Sequence, residues 1–212
     1  MGSPDTRPVP GATGAGRVPS AGMIDLVLVD DHPAVLAGLV GLVESEHGLA
    51  CRATAGSAAD ALDAVRETRP HVVVADYDLP DTDGLTLCAE LKSLPASPGV
   101  VVYSAFARPG LVPAAAIAGA DAMLDKAAPG NELFEAVREV ARGEGRLPRP
   151  RPEVMQRCLA RLDADDLSLF GMAVNGISPD EIADVVGIDL DEARRRLRVL
   201  IARLSSGTES AV

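Results

Sequence analysis

The 212-residue sequence has no tryptophan, only two tyrosines and only three phenylalanines. Its apolar interior must therefore be built from alanine, valine, leucine and isoleucine. Hydrophobic residues make up 47% of the chain, enough for a real core, which excludes global disorder. Cysteine is scarce: Cys51, Cys88 and Cys158 are widely spaced and form no Cys-x-x-Cys pair. That odd, scattered set excludes a disulfide framework and a metal-finger spacing, and it reads as small thiols in a reducing cytoplasm. No apolar run approaches the ~20 residues needed to cross a bilayer. Lysine is nearly absent, with only Lys92 and Lys126, so arginine carries most of the positive charge. The net charge of −11 excludes blanket attraction to nucleic acid. Any DNA contact needs a local basic patch.

What is present falls into segments. Residues 1–22 are rich in Pro, Gly, Ala and Ser and lack the apolar centre of a signal peptide. They read as a disordered extension, or as sequence upstream of a start at Met23. From Ile24 short apolar runs alternate with helical patterns. Strands are expected at Ile24–Val29, Leu49–Ala55, His71–Ala75, Val100–Tyr103 and Ala122–Leu124. Helices are expected after Pro33, after a Ser57 cap, over Leu85–Leu94, over Val112–Ala118, and from an Asn131 cap to about Arg142. Such alternation implies βαβ units around a five-stranded parallel sheet, an α/β doubly wound fold of the flavodoxin-like kind. Residues 143–152, GEGRLPRPRP, form a Pro/Arg linker. Residues 153–205 carry helical patterns only, and a polar tail follows at 206–212.

Four of the expected strands end in residues that can do chemistry. The first delivers Asp30 and Asp31, the third Asp76 and the fourth Ser104, while Lys126 follows the fifth. In a parallel sheet these ends share one edge. Any one aspartate at a strand end reads more simply as a solvated or capping residue. The conjunction is what carries information. Three carboxylates at close quarters repel one another, and a hard divalent cation such as Mg²⁺ relieves that repulsion. A cation and a lysine around one carboxylate suit phosphoryl transfer, in which charge neutralisation and positioning dominate. The aspartate carboxylate would itself be the nucleophile.

The segments LVLVDDHPAVLAGL, VVVADYDLPDTDG, VVYSA and GADAMLDK resemble the successive motifs of receiver domains, most of all those of NarL/FixJ-type response regulators. The resemblance covers about residues 24–142. It implies that Asp76 accepts a phosphoryl group from a histidine kinase. It further implies that Asp31 ligates Mg²⁺ with Asp30 assisting, and that the Asp78 backbone carbonyl and Asp76 complete the protein ligands. Lys126 would pair with the phosphoryl group and Ser104 would swing towards it. Met123 stands where the family usually has an aromatic switch residue, and Asp125 replaces an apolar one. These departures leave the chemistry intact and imply altered coupling to output.

In the last segment, Leu162, Leu169, Met172 and Ala173 suit one buried helix face that Gly176 ends. Ser178, with Pro179 next, opens a second helix, which Gly187 ends. Asp189 caps a third, with a stripe of Ala193, Leu197, Leu200, Ile201 and Leu204. Two helices joined by a glycine turn make a helix-turn-helix. Its second helix carries Arg194, Arg195, Arg196 and Arg198, residues suited to phosphates and guanine edges. Arg195 and Arg198 lie opposite the apolar stripe, and Arg194 and Arg196 flank it. The bland reading is a solvated basic face. The segment from Leu162 to Leu204 resembles a LuxR-type helix-turn-helix and is similar to region 4 of sigma factors. The resemblance implies binding to double-stranded DNA, with homodimer formation on activation. The acids Asp189, Asp191 and Glu192 at the helix entry, and a tail too short for a fourth helix, leave an alternative. That alternative is a signalling adaptor whose degenerate helix-turn-helix binds a protein such as a sigma factor or polymerase. No enzyme activity beyond phosphoacceptance is expected. Nothing points to the substrate cleft or nucleophile–base pair of a hydrolase.

Overall fold

The computed structural model describes residues 22–105, 109–145 and 147–206. The expectations for residues 1–21 and 207–212 lie outside the described residues.

Five strands, β1 (Ile24–Val29), β2 (Leu49–Ala55), β3 (Val72–Ala75), β4 (Gly99–Ser104) and β5 (Ala122–Asp125), form one parallel sheet in the order β2-β1-β3-β4-β5. Their near-continuous apolar runs follow from burial on both faces. Side chains alternate between two cores. Val27, Val29, Val73, Ala75, Val100 and Val102 face one side, while Leu26, Leu28, Val72, Val74 and Val101 face the other. Helices α1 (Pro33–Ser45) and α5 (Gly130–Ala141) cover the second face. Helices α2 (Ala58–Thr68), α3 (Gly84–Lys92) and α4 (Val112–Ala118) cover the first. This is the expected doubly wound α/β architecture.

Helix starts follow side-chain chemistry. Ser57 accepts the Asp60 N–H at the head of α2, and Asp83 accepts the Leu85 and Thr86 N–H groups at the head of α3. One cap differs from expectation. Helix α5 begins at Gly130 with Pro129 at its N-cap, so Asn131 sits inside the first turn. The fixed φ of Pro129 sets the entry, and the Asn131 side chain has no capping role.

Four helices follow: α6 (Pro152–Leu159), α7 (Ala164–Val174), α8 (Pro179–Val186) and α9 (Leu190–Ser206). Leu162 lies between α6 and α7 and belongs to neither helix. Gly187 closes α8 at φ +75°, and Asp189 accepts the Glu192 N–H at the head of α9. The linker region between α5 and α6 carries no helix or strand among its described residues. The C-terminal helices nevertheless do not stand apart. Helix α9 packs along α4 and touches α3, and α7 also meets α4. Leu169, Phe170, Ile182, Leu197, Leu200, Ile201 and Leu204 join Val112, Ala114, Ala115 and Ile117 in one continuous apolar cluster. No described helix is long and apolar enough to cross a membrane.

Candidate functional site

The sheet brings three of the expected residues into direct contact. Asp30 follows β1 and Asp76 follows β3, which are adjacent strands, and Lys126 follows β5. The main chain of Asp76 is fixed by its N–H donating to the Val29 carbonyl at 2.8 Å. The Lys126 N–H likewise donates to the Ser104 carbonyl at 2.8 Å. The Lys126 ammonium, arriving across the β4 end, sits 2.5 Å from Asp30 Oδ2 and 2.8 Å from Asp76 Oδ2. Asp30 is 1% exposed and Asp76 4% exposed, so both carboxylates are withdrawn from water and share the Lys126 ammonium.

Each carboxylate has a second partner. The Tyr77 N–H donates to Asp76 Oδ1 at 2.7 Å, and the His32 N–H donates to Asp30 Oδ1 at 2.9 Å. Burial pushes the Asp76 carboxyl above the ordinary carboxylate range, with the nearby Asp30 adding to the rise and Lys126 opposing it. Burial pulls Lys126 down, but the bonds to Asp30 and Asp76 outweigh it and hold the ammonium above its usual value. Asp31 is more exposed and meets His32 Nδ1 at 2.5 Å. Ligand atoms of Asp30, Asp31, His32 and Asp76 all lie within 4.8 Å of one another. Ser104 is fully buried at the end of β4, and Met123 is buried one strand over. Asp78 pairs with Asp83 in a short antiparallel bridge across the loop after β3.

Two residues here escaped the sequence reading. His32 adds a nitrogen to an otherwise all-oxygen cluster, and its place directly after Asp30-Asp31 was the available signal. Asp81 accepts the Ala58 and Ala59 N–H groups at 2.9 and 3.0 Å, tying the loop after β3 to the head of α2. No sequence spacing announces that contact.

A family model for the response regulator receiver domain matches residues 26–138. The chain belongs to this receiver family. It is similar to the DNA-binding transcriptional activator DevR/DosR of Mycobacterium tuberculosis (strain ATCC 25618 / H37Rv), with 29% identity over 192 residues, covering 86% of this chain and 88% of that protein. Among solved structures, it is similar to a LuxR-family two-component response regulator from Aurantimonas sp. SI85-9A1, with 28% identity and a TM-score of 0.56, covering 63% of this chain and 94% of that one. The response regulator ChrA of a heme-sensing two-component system covers more of the chain. It is 26% identical with a TM-score of 0.52, covering 88% of this chain and 98% of that one.

Beyond the receiver, the arginines of α9 fall into different settings. Arg195 and Arg198 are exposed. Arg194 is half-buried, and its Nε has no hydrogen-bond partner among the described residues. Arg195 pairs with Glu192, and Arg196 Nε donates to Glu192 Oε1 at 2.6 Å. One glutamate thus engages two of the four expected DNA-binding cations.

Proposed function

We propose that this chain is a two-component response regulator in which phosphorylation of Asp76 controls DNA binding by α8 and α9, and hence transcription. The observation that carries the reading is the Asp30–Lys126–Asp76 cluster at the carboxyl edge of the sheet. The name of the DevR/DosR relative, similar over 86% of this chain, and similarity to a LuxR-family response regulator over 63% of it support a transcriptional output.

Asp76 Oδ2 attacks the phosphorus of a phosphohistidine on the partner kinase. The P–O bond forms as the P–N bond breaks, and the imidazole leaves, taking up a proton. Asp30, Asp31, Asp76 and the Asp78 carbonyl would hold Mg²⁺, a hard cation matched to carboxylate and carbonyl oxygens. The bound cation would supply positive charge against the phosphoryl oxygens. Lys126 is already poised on Asp76 Oδ2 and transfers its ion pair to the incoming phosphoryl group. Ser104, at the end of β4, turns towards that group. The segment after Ser104 leads into α4, against which α9 packs. A shift at Ser104 therefore reaches the helix that holds the DNA-reading element, and its release permits homodimer formation on DNA. Met123 in place of an aromatic leaves α4 as the route for this signal.

The test uses wild type and Asp76→Asn, each treated with a small-molecule acyl phosphate and Mg²⁺, followed by genomic DNA capture and gel shifts across a salt series. Wild type gains a phosphoryl group and captures specific fragments with steep salt dependence, and Asp76→Asn gains none. One observation favours the adaptor reading: Glu192 occupies Arg195 and Arg196. Phosphorylated wild type that captures no fragment would overturn the DNA-binding reading and favour the adaptor.

A further inference from the structure

The four arginines in the first half of α9 are not equally free. Arg194 is half-buried, and Arg198 is exposed with no ion-pair partner among the described residues. Arg195 and Arg196 share one carboxylate. Arg196 Nε donates to Glu192 Oε1 at 2.6 Å, and Arg195 Nη2 donates to Glu192 Oε2. Both oxygens of Glu192 are therefore taken, and its side chain is only 22% exposed. The Glu192 N–H donates to Asp189 Oδ1 at 2.8 Å, which fixes the main chain from which the carboxylate reaches. The bonds from Arg196 and Arg195 hold the Glu192 carboxyl below the ordinary range, so it stays charged at neutral pH.

The flank of α9 that faces α7 is matched in charge. Arg203 is bonded to Asp166, and Arg196 also feels Asp165 and Asp166. Arg195 differs, because it is exposed and yet still held. Exposed pairs at this helical spacing add little to helix stability. Their consequence lies in what the arginines are free to do. A guanidinium bonded to a carboxylate must leave it before it can neutralise a phosphate. That cost is the same for every DNA sequence, because phosphate contacts carry no base information. The pairs are weak enough for a phosphate to displace, so the effect is graded and DNA binding survives it.

We propose that Glu192 is an internal counter-ion that competes with DNA phosphates for Arg195 and Arg196. It lowers sequence-independent binding and leaves base contacts to decide where the chain sits. The inference rests on the reading of α9 as the DNA-contacting helix. Arg198 has no such competitor and keeps its full contact. Removing the one carboxylate releases two cations at once.

The test uses the full chain treated with an acyl phosphate and Mg²⁺, and a fluorescent DNA duplex of random sequence. Anisotropy titrations run from about 50 to about 200 mM salt. Glu192→Gln keeps the side-chain length and the helix-forming tendency, and circular dichroism checks the fold. The variant binds more tightly than wild type at the low-salt end. It then loses affinity more steeply, by about threefold more over that range for each arginine that gains a phosphate. A merely structural role for Glu192 would not move this slope. In a chain already carrying Arg195→Gln and Arg196→Gln, the same substitution brings no gain and no added slope. Equal affinity and slope for wild type and Glu192→Gln overturn the proposal and leave DNA binding standing. A gain that survives the loss of both arginines also overturns it, because repulsion of phosphate by the carboxylate would then suffice. Failure of every variant to bind the duplex overturns it together with the DNA-binding reading.

Discussion

A single exposed carboxylate, Asp81, fixes the geometry of the loop that carries Asp78. Its two oxygens take the Ala58 and Ala59 N–H groups, which are unsatisfied donors at the start of α2. These backbone bonds hold its carboxyl below the ordinary range. A carboxyl depressed in the folded state contributes stability above the unfolded value, near pH 4. That contribution is lost as pH falls through the lower, folded value. Asp81→Ala is expected to lower stability by about 1 kcal/mol at neutral pH, the usual worth of an exposed helix cap. Urea unfolding over a pH series checks this, and a deficit that persists unchanged in strong acid would refute it. Buried thiols give a second prediction at this scale. Cys88 is fully buried, its thiol is pushed up to about 12 by that burial, and its Sγ donates to the Ala118 carbonyl at 3.3 Å. Cys51, partly exposed, is therefore expected to react with an alkylating reagent in the native protein while Cys88 stays unmodified until unfolding. Peptide mass mapping after timed alkylation reads this directly.

Among the elements, α3 is seated closely against the loop after β3. A Cβ on Gly84 would stand 2.2 Å from the Asp76 carbonyl oxygen and 2.9 Å from Tyr77 Cα, both main-chain atoms. The head of α3 thus presses on the backbone of Asp76. Gly84→Ala is expected to cost about 1–3 kcal/mol, as overpacking does, and to slow phosphorylation by an acyl phosphate. A thermal melt and a phosphorylation time course report the two effects. The strands were legible because runs such as Val72–Ala75 are apolar on both faces, which only a covered parallel sheet needs. The convergence of Asp30, Asp76 and Lys126 was legible for the same reason, since strand ends share an edge. The Asn131 cap was misread because Pro129 two residues earlier sets the start of α5. The pairing of Glu192 with Arg195 and Arg196 was missed although its i, i+3 and i, i+4 spacing lay in plain view. The stripe on α9 predicted burial correctly but named no neighbour. A hydrophobic face says that it will be covered, not by what.

At the scale of the molecule, the expected receiver and helix-turn-helix segments share one apolar cluster across α4 and α9. Shared burial couples their unfolding. The unphosphorylated chain is expected to melt in one cooperative transition, with calorimetric and van't Hoff enthalpies equal. Two resolved transitions by scanning calorimetry would contradict it. Every described side chain of α4 but Ala116 is buried, although the helix is only seven residues long. A helix so enclosed has no free flank on which substitutions can drift. A change on its sheet side is felt on its α9 side, so the two halves of the chain are fitted to each other. Grafting the last four helices onto a foreign receiver would therefore give a chimera whose output is uncoupled from its input, even if both parts fold.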